Sequence, residues 1–319
     1  MAVENPDHRQ LAYEIKNLCR EKDAIILAHY YQRPEIQDIA DYVGDSLALA
    51  QIAATLPNKV IVMCGVHFMG ETAKILCPDK TVLIPAPEAS CSLAESCPAE
   101  EFAAFVAQHP DHTVISYVNT SAAVKAHTDI VVTSGNAREI VESIPADEKI
   151  IFGPDRNLGN YINSVTGRNM LLWDGACHVH EKFSVEAIVK LMKDHPEAEV
   201  LVHPECPAPI RLLAHKVGST AVLLKHAMTS PAKEFIVATE SGILHRMCQE
   251  CPEKTFIPAP PDESSCMCNE CSYMKLVTLE KLRDCLAAGK PEIVVDTETA
   301  RKARRPIERM LELSAKLKK

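Results

Sequence analysis

Thr113-Val-Ile-Ser-Tyr-Val-Asn119, followed after a helical stretch by Ile130-Val-Val-Thr-Ser134, is the middle one of three matching segments. Upstream, Ala24-Ile-Ile-Leu-Ala-His-Tyr-Tyr31 leads in the same way to Tyr42-Val-Gly-Asp-Ser46. Downstream, Glu199-Val-Leu-Val-His-Pro-Glu205 leads to Lys216-Val-Gly-Ser-Thr220. The step from the polar residue closing the first apolar run to the hydroxyl is 17 residues each time: His29 to Ser46, Tyr117 to Ser134, His203 to Thr220. The period between those hydroxyls is 88 and then 86 residues. Val60-Ile-Val-Met-Cys-Gly65, Ile150-Ile-Phe-Gly153 and Phe235-Ile-Val-Ala-Thr239 recur at the same two intervals. Generic βα patterning would not hold three landmarks at one offset, so the chain reads as a threefold repeat of one supersecondary unit.

Each unit reads strand, helix, strand, helix, strand, cysteine loop, helix. The strands are short continuous apolar runs, as expected where helices cover both faces of a parallel sheet. Their alternation with helical segments predicts an α/β architecture with parallel sheets. The units are placed at 23–111, 112–197 and 198–288, with a leading helix within 1–22 (Asp7 to Glu21) and a C-terminal segment at 289–319. In that last segment Thr297 is expected to cap a helix running to about Leu317 and kinked at Pro306.

Open parallel sheets carry function in the loops beyond the carboxyl ends of their strands. Each unit places a polar pair there: His29 with Tyr31, Tyr117 with Asn119, His203 with Glu205. An i, i+2 spacing at an extended strand end sends both side chains to one side. Three such pairs about a pseudo-threefold axis would ring one cavity. The hydroxyls Ser46, Ser134, Ser219 and Thr220 each stand where a helix begins. They are N-caps in the plainest reading, and helix N-termini bearing hydroxyls also suit a small polyanion.

A cysteine loop closes each unit. Cys91 sits in Ala89-Ser-Cys-Ser92 after Val82-Leu-Ile-Pro85, and Cys177 in Gly175-Ala-Cys-His-Val-His180 after Met170-Leu-Leu-Trp173. Cys271 sits in Asn269-Glu-Cys-Ser272 after Phe256-Ile-Pro258, and the spacings are 86 and 94 residues. Three thiolates from separate units could hold zinc, but zinc sites commonly pair ligands as C-x₂₋₄-C. A [4Fe–4S] cluster usually takes four cysteines. With three, one iron keeps an open position and can act as a Lewis acid on a substrate oxygen.

A zinc ribbon from Cys248, Cys251, Cys268 and Cys271, with 16 residues between the pairs, competes with this reading but leaves Cys91 and Cys177 unexplained. Cys97 and Cys206 compete more weakly. Cys266 and Cys268 are candidates for a redox-sensitive partner to the third ligand. Cys19, Cys64, Cys77 and Cys285 sit in apolar helix- or strand-like patterns and read as buried filler.

Composition bounds these readings. The chain has 319 residues, 47% of them hydrophobic and 24% charged, ordinary for a globular protein. Its net charge of −9, with no basic stripe, argues against a nucleic-acid partner. No run of about 18 apolar residues predicts a membrane span. The polar start is not a signal peptide, and 13 cysteines without one point to a reducing, cytoplasmic setting.

The ordered motifs resemble the quinolinate synthase family, iron–sulfur enzymes of de novo NAD biosynthesis, over essentially the whole chain. They are Ala28-His-Tyr-Tyr-Gln32, Val43-Gly-Asp-Ser46, Val66-His-Phe-Met-Gly-Glu-Thr72, Tyr117-Val-Asn-Thr-Ser121 and Val132-Thr-Ser134. Phe152-Gly-Pro-Asp155, Gly175-Ala-Cys-His-Val-His180, His203-Pro-Glu205, Gly218-Ser-Thr220 and Pro306-Ile-Glu-Arg-Met-Leu311 follow. The resemblance implies three pseudo-threefold-related αβα domains around a central [4Fe–4S] cluster ligated by Cys91, Cys177 and Cys271.

It also implies condensation of iminoaspartate with dihydroxyacetone phosphate to quinolinate, with loss of phosphate and two waters. An aspartate-oxidising enzyme would supply the iminoaspartate. Substrate would be lined by His29, Ser46, Tyr117, Val118, Asn119, Ser134, His203, Pro204, Glu205, Ser219 and Thr220. Tyr31 and Glu205 would transfer protons, with Glu205 as the main base and Tyr117 and Asn119 orienting substrate. The tail departs from the family's C-x₂-C-x₂-C form, reading Cys266-x-Cys268-x₂-Cys271, so the resemblance carries no disulfide onto it. Two other readings stay open on the residues: a different open-iron hydro-lyase acting on a hydroxy acid, and a redox- or metal-sensing binding protein.

Overall fold

In the computed structural model, residues 6–262 and 269–317 are described; Cys266 and Cys268 lie outside them. Among the described residues the apolar runs form twelve strands. They are β1 (Ala24–His29), β2 (Tyr42–Gly44), β3 (Val60–Cys64), β4 (Thr81–Leu83), β5 (His112–Tyr117) and β6 (Ile130–Val132). The rest are β7 (Lys149–Gly153), β8 (Leu171–Leu172), β9 (Glu199–Val202), β10 (Lys216–Val217), β11 (Glu234–Ala238) and β12 (Thr255–Pro258). They make three four-stranded sheets of identical order, β2-β1-β3-β4, β6-β5-β7-β8 and β10-β9-β11-β12. All pairings are parallel.

Sequence reading gives each unit three strands; the structure adds a fourth at the edge. That strand is the apolar run preceding each cysteine loop, two to four residues long, too short to announce itself by periodicity. Its partner, the third strand, fixes it from one side only. The order of each sheet puts its first strand in the middle, with the second and third on either side, so a crevice opens beyond its carboxyl end.

The third unit shows why its strands read as continuous apolar runs. Val200, Val202, Ile236 and Ala238 pack on one face with Ile188, while Leu201, Phe235 and Val237 pack on the other with Leu223 and Met247. Helices Val185–Asp194 and Thr220–Thr229 thus cover opposite faces of one sheet, giving three layers. The largest core cluster runs without a break through the first and second units and into the C-terminal segment, where Ile293, Ala303, Ile307 and Met310 join it.

The leading helix, Pro6–Lys22, packs on helix Leu279–Ala288, and the last helix, Thr297–Leu317, packs on β6 and on helices His67–Leu76 and Ala122–Lys125. Asp296 caps the last helix by accepting from the Thr299 N–H at 2.9 Å, so Thr297 is its first residue and not its cap. The helix continues through Pro306. Cys19, Cys64, Cys77, Cys97, Cys206 and Cys285 are all buried. Among the described residues no helix is long and apolar enough to cross a membrane.

Candidate functional site

Residues beyond the carboxyl ends of strands from all three sheets line one cavity. His29, Tyr31, Tyr117, Val118, Asn119, His203 and Glu205 are in its wall, with Ser46, Ser134, Thr220, Cys91, Cys177 and Cys271. Pro204 and Ser219 are not. The first and third polar pairs reach the cavity by a turn, not by the alternation of an extended strand. Gln32 N–H bonds to the His29 carbonyl and Cys206 N–H to the His203 carbonyl, each at 3.0 Å, folding the chain back directly after the strand.

Within those turns the Tyr31 N–H donates to His29 Nδ1 at 3.1 Å and the Glu205 N–H to His203 Nδ1 at 3.4 Å. An accepting Nδ1 places the proton of the neutral ring on Nε2. Burial pulls both imidazoles down to about 3, so they are neutral near pH 7.

The hydroxyls divide into two kinds. Asp45 caps helix Ser46–Thr55 through the Ala48 N–H, and Ser219 caps helix Thr220–Thr229 through the Val222 N–H. Ser46 and Thr220 are therefore the first residues of their helices, free of capping duty, and it is these that line the cavity. Ser134 lies before Asn136, the N-cap position of helix Ala137–Glu142, and hydrogen-bonds the Tyr117 phenol.

A buried polar line crosses the cavity between units. The Tyr117 hydroxyl donates to Glu205 Oε1 at 2.5 Å. His180 Nδ1 lies 3.0 Å from Glu205 Oε2 without the alignment of a hydrogen bond, while its Nε2 meets Thr239 Oγ1 at 2.9 Å. Thr239 in turn meets the Tyr31 hydroxyl at 2.7 Å. His180 also stacks on His203, with ring centroids 4.6 Å apart.

Burial, reinforced by Glu205, pushes both phenols well above their ordinary value, so they are protonated donors. Burial pushes Glu205 up as well, but the facing His180 and the Tyr117 hydrogen bond outweigh it and hold the carboxylate below its usual range. Asp155 goes the other way, raised by burial and by the charge of Glu205. Their surroundings thus push the two carboxyls in opposite directions, the pattern of an acid–base site.

Sequence reading passed over His180 as a site residue, although its motif was in view, and missed Thr239, Glu240 and Asp155. The last two share one signal: each stands two residues past the third strand of its sheet. Asp155 Oδ2 accepts from the Cys177 N–H at 3.0 Å and Glu240 Oε1 from the Cys271 N–H at 3.1 Å. The cysteine loops also meet one another. Ser92 Oγ lies 2.5 Å from His178 Nδ1, and the Tyr273 hydroxyl donates to Glu95 at 3.2 Å. A Cβ on Gly175 would fall 2.4 Å from Ser96 Oγ, so only glycine lets the Cys177 loop approach this closely. Burial raises all three loop thiols, Cys91 to about 12, and a metal would have to displace their protons.

Among the described residues one compact metal-capable group is present. Cys177, His180 and Glu205 bring one ligand atom each within 4.8 Å of one another, close enough to share a single ion. Cys91, Cys177 and Cys271 do not close to that spacing as a set, which disfavours one shared ion and leaves room for a polynuclear group between them. For the zinc ribbon, Cys248 is exposed and Cys251 is buried, and Cys271 faces the cavity. Cys268 lies outside the described residues, and none of the described residues of that ribbon belongs to a metal-holding group.

The fold and site define a class: a three-unit α/β enzyme whose single cavity is assembled from thiols, imidazoles, phenols and carboxylates of every unit. A family model described as Quinolinate synthetase A protein matches residues 13–312. The chain is 56% identical over 301 residues to a quinolinate synthase of Synechococcus sp., covering 94% of each chain. It is 57% identical over 300 residues to one of Microcystis aeruginosa, again covering 94% of each. With one of Thermosynechococcus vestitus it shares 53% identity over 313 residues, 98% of each. The chain belongs to the quinolinate synthase A family of enzymes.

Proposed function

We propose that the cavity condenses iminoaspartate with dihydroxyacetone phosphate, giving quinolinate, phosphate and two waters, as a step of de novo NAD biosynthesis in the cytoplasm. An aspartate-oxidising enzyme supplies the first substrate. The observation that carries the reading is that one cysteine and one polar pair from each of three repeats, 23–111, 112–197 and 198–288, line a single cavity. Its thiols, Cys91, Cys177 and Cys271, are the ligands of a [4Fe–4S] cluster, and their spread suits such a group better than one ion. When bound, a cluster with three thiolate ligands offers one open iron as a Lewis acid toward a substrate oxygen.

The chain supplies the rest. Glu205, held ionised, is the base that removes a proton during imine–enamine exchange and dehydration. Tyr117, hydrogen-bonded to Glu205 and Ser134, fixes that carboxylate and, with Val118 and Asn119, orients substrate. Tyr31, protonated and joined to His180 through Thr239, stands at the other end of that polar line as proton donor. His29 and His203 are neutral donors, and Ser46, Ser134 and Thr220 offer hydroxyls to anionic groups of the substrates.

The test is quinolinate formation by the anaerobically purified protein given both substrates, beside Glu205→Gln. We expect turnover in the wild type and a loss of about 10²–10⁴-fold in the variant. No turnover in an iron-replete wild type would refute the reaction, and near-normal turnover in Glu205→Gln would refute the assigned base.

A further inference from the structure

Lys125 is fully buried at the end of helix Ala122–Lys125, directly behind the cavity wall. Its Nζ donates to the Val118 carbonyl at 2.8 Å and to the Thr120 carbonyl, and lies 5.4 Å from the centre of the Phe68 ring. Val118 and Phe68 are both in the wall. Among the described residues no ion pair neutralises it: Glu71, the carboxylate whose charge it feels, uses Oε2 to accept from the Ala122 N–H at 2.9 Å. Burial lowers Lys125 to about 8, against Glu71 and Cys91, which leaves it charged at pH 7.

An unpaired ammonium in a protein interior is costly. Holding two carbonyls does not require it, since a neutral amide can donate as well. The charge therefore calls for a use, and the cavity supplies one. Among the described residues its wall contains the carboxylates Asp45, Glu205 and Glu240 and no lysine or arginine. Glu240 is balanced by Lys275 at 2.8 Å, but Glu205, buried and ionised, leaves the wall unfavourable to anions. The N-termini of helices Ser46–Thr55 and Thr220–Thr229 add only partial positive charge.

We propose that Lys125 is a positioning residue for anionic substrates, its ammonium pinning the Val118–Thr120 turn and supplying from behind the wall the positive charge that admits a phosphate or carboxylate ligand. The inference rests on the reading that this cavity takes anionic substrates. Across one side-chain layer a single charge alters anion affinity by about tenfold.

Calorimetric titration of the anaerobically purified full chain tests it, with dihydroxyacetone phosphate, succinate and neutral dihydroxyacetone as probes. Lys125→Gln keeps a donor for the carbonyls and loses the charge. It should weaken both anions about tenfold and leave dihydroxyacetone within about twofold, while Lys125→Arg recovers anion affinity. Equal anion binding in wild type and Lys125→Gln, or equal weakening of the neutral probe, would overturn the assignment. A wild type that binds neither anion would instead sink the anionic-substrate reading on which it rests.

Discussion

The cysteine loops of the second and third units are tethered in a way that the loop of the first is not. Two residues past the third strand of the sheet stand Asp155 and Glu240, buried carboxylates that accept the N–H of Cys177 and Cys271. The same place in the first unit holds Val66, whose side chain can accept nothing. The backbone repeats threefold while the polar scaffolding does not. Strand order is set by apolar burial, which tolerates any residue of suitable size. A tether needs a specific acceptor, so each unit can carry a different one.

Breaking the tethers should have unequal effects, greatest in the third unit. Glu240 also pairs with Lys275 at 2.8 Å and accepts from the Gly242 N–H at 2.7 Å. Glu240→Ala strands that lysine, and we expect a loss of about 3–5 kcal/mol in denaturant unfolding. In the second unit Asp155 both caps helix Arg156–Thr166 and holds Cys177. Asp155→Ala should cost about 2–3 kcal/mol, the sum of a lost cap and an unsatisfied N–H. It should also speed the reaction of the Cys177 thiol with a disulfide reagent in metal-free protein. Val66→Ala should leave the reactivity of Cys91 unchanged, and a faster Cys91 would show that the first loop is held through this position after all.

A smaller effect separates the second unit from the other two. His29 and His203, lowered by burial to about 3, are neutral when folded and titrate near 6.5 when unfolded. Between those values the unfolded chain binds more protons, so stability falls as pH drops below 6.5, by about 1.4 kcal/mol per histidine at pH 5.5. The second unit has Tyr117 at this place and contributes nothing there. Unfolding measured at pH 7.5 and 5.5 should lose one proton's worth of this dependence in His203→Asn. An unchanged slope would mean that His203 is protonated in the folded protein.

Much of this was legible in the sequence because the repeat doubles as a ruler. The 17-residue step located the polar pairs and hydroxyls of all three units, and the cysteine spacing located three loops that line one cavity. What escaped depends on partners far along the chain. Thr239 matters because Tyr31 and His180 meet it and carries no local pattern, while the shared repeat position of Asp155 and Glu240 gains meaning only when Cys177 and Cys271 meet them. The edge strands β4, β8 and β12 were too short to read. The capping residues Asp45 and Asp296 were misassigned by one position, since a hydroxyl beside a carboxylate at a helix start leaves either able to cap.

The most direct test of the central claim is a count of iron and acid-labile sulfide in anaerobically purified protein, set beside Cys91→Ser, Cys177→Ser and Cys271→Ser. About four irons and four sulfides per chain, lost in each variant, is the predicted result. Zinc in place of iron, or iron and sulfide that survive all three substitutions, would contradict it.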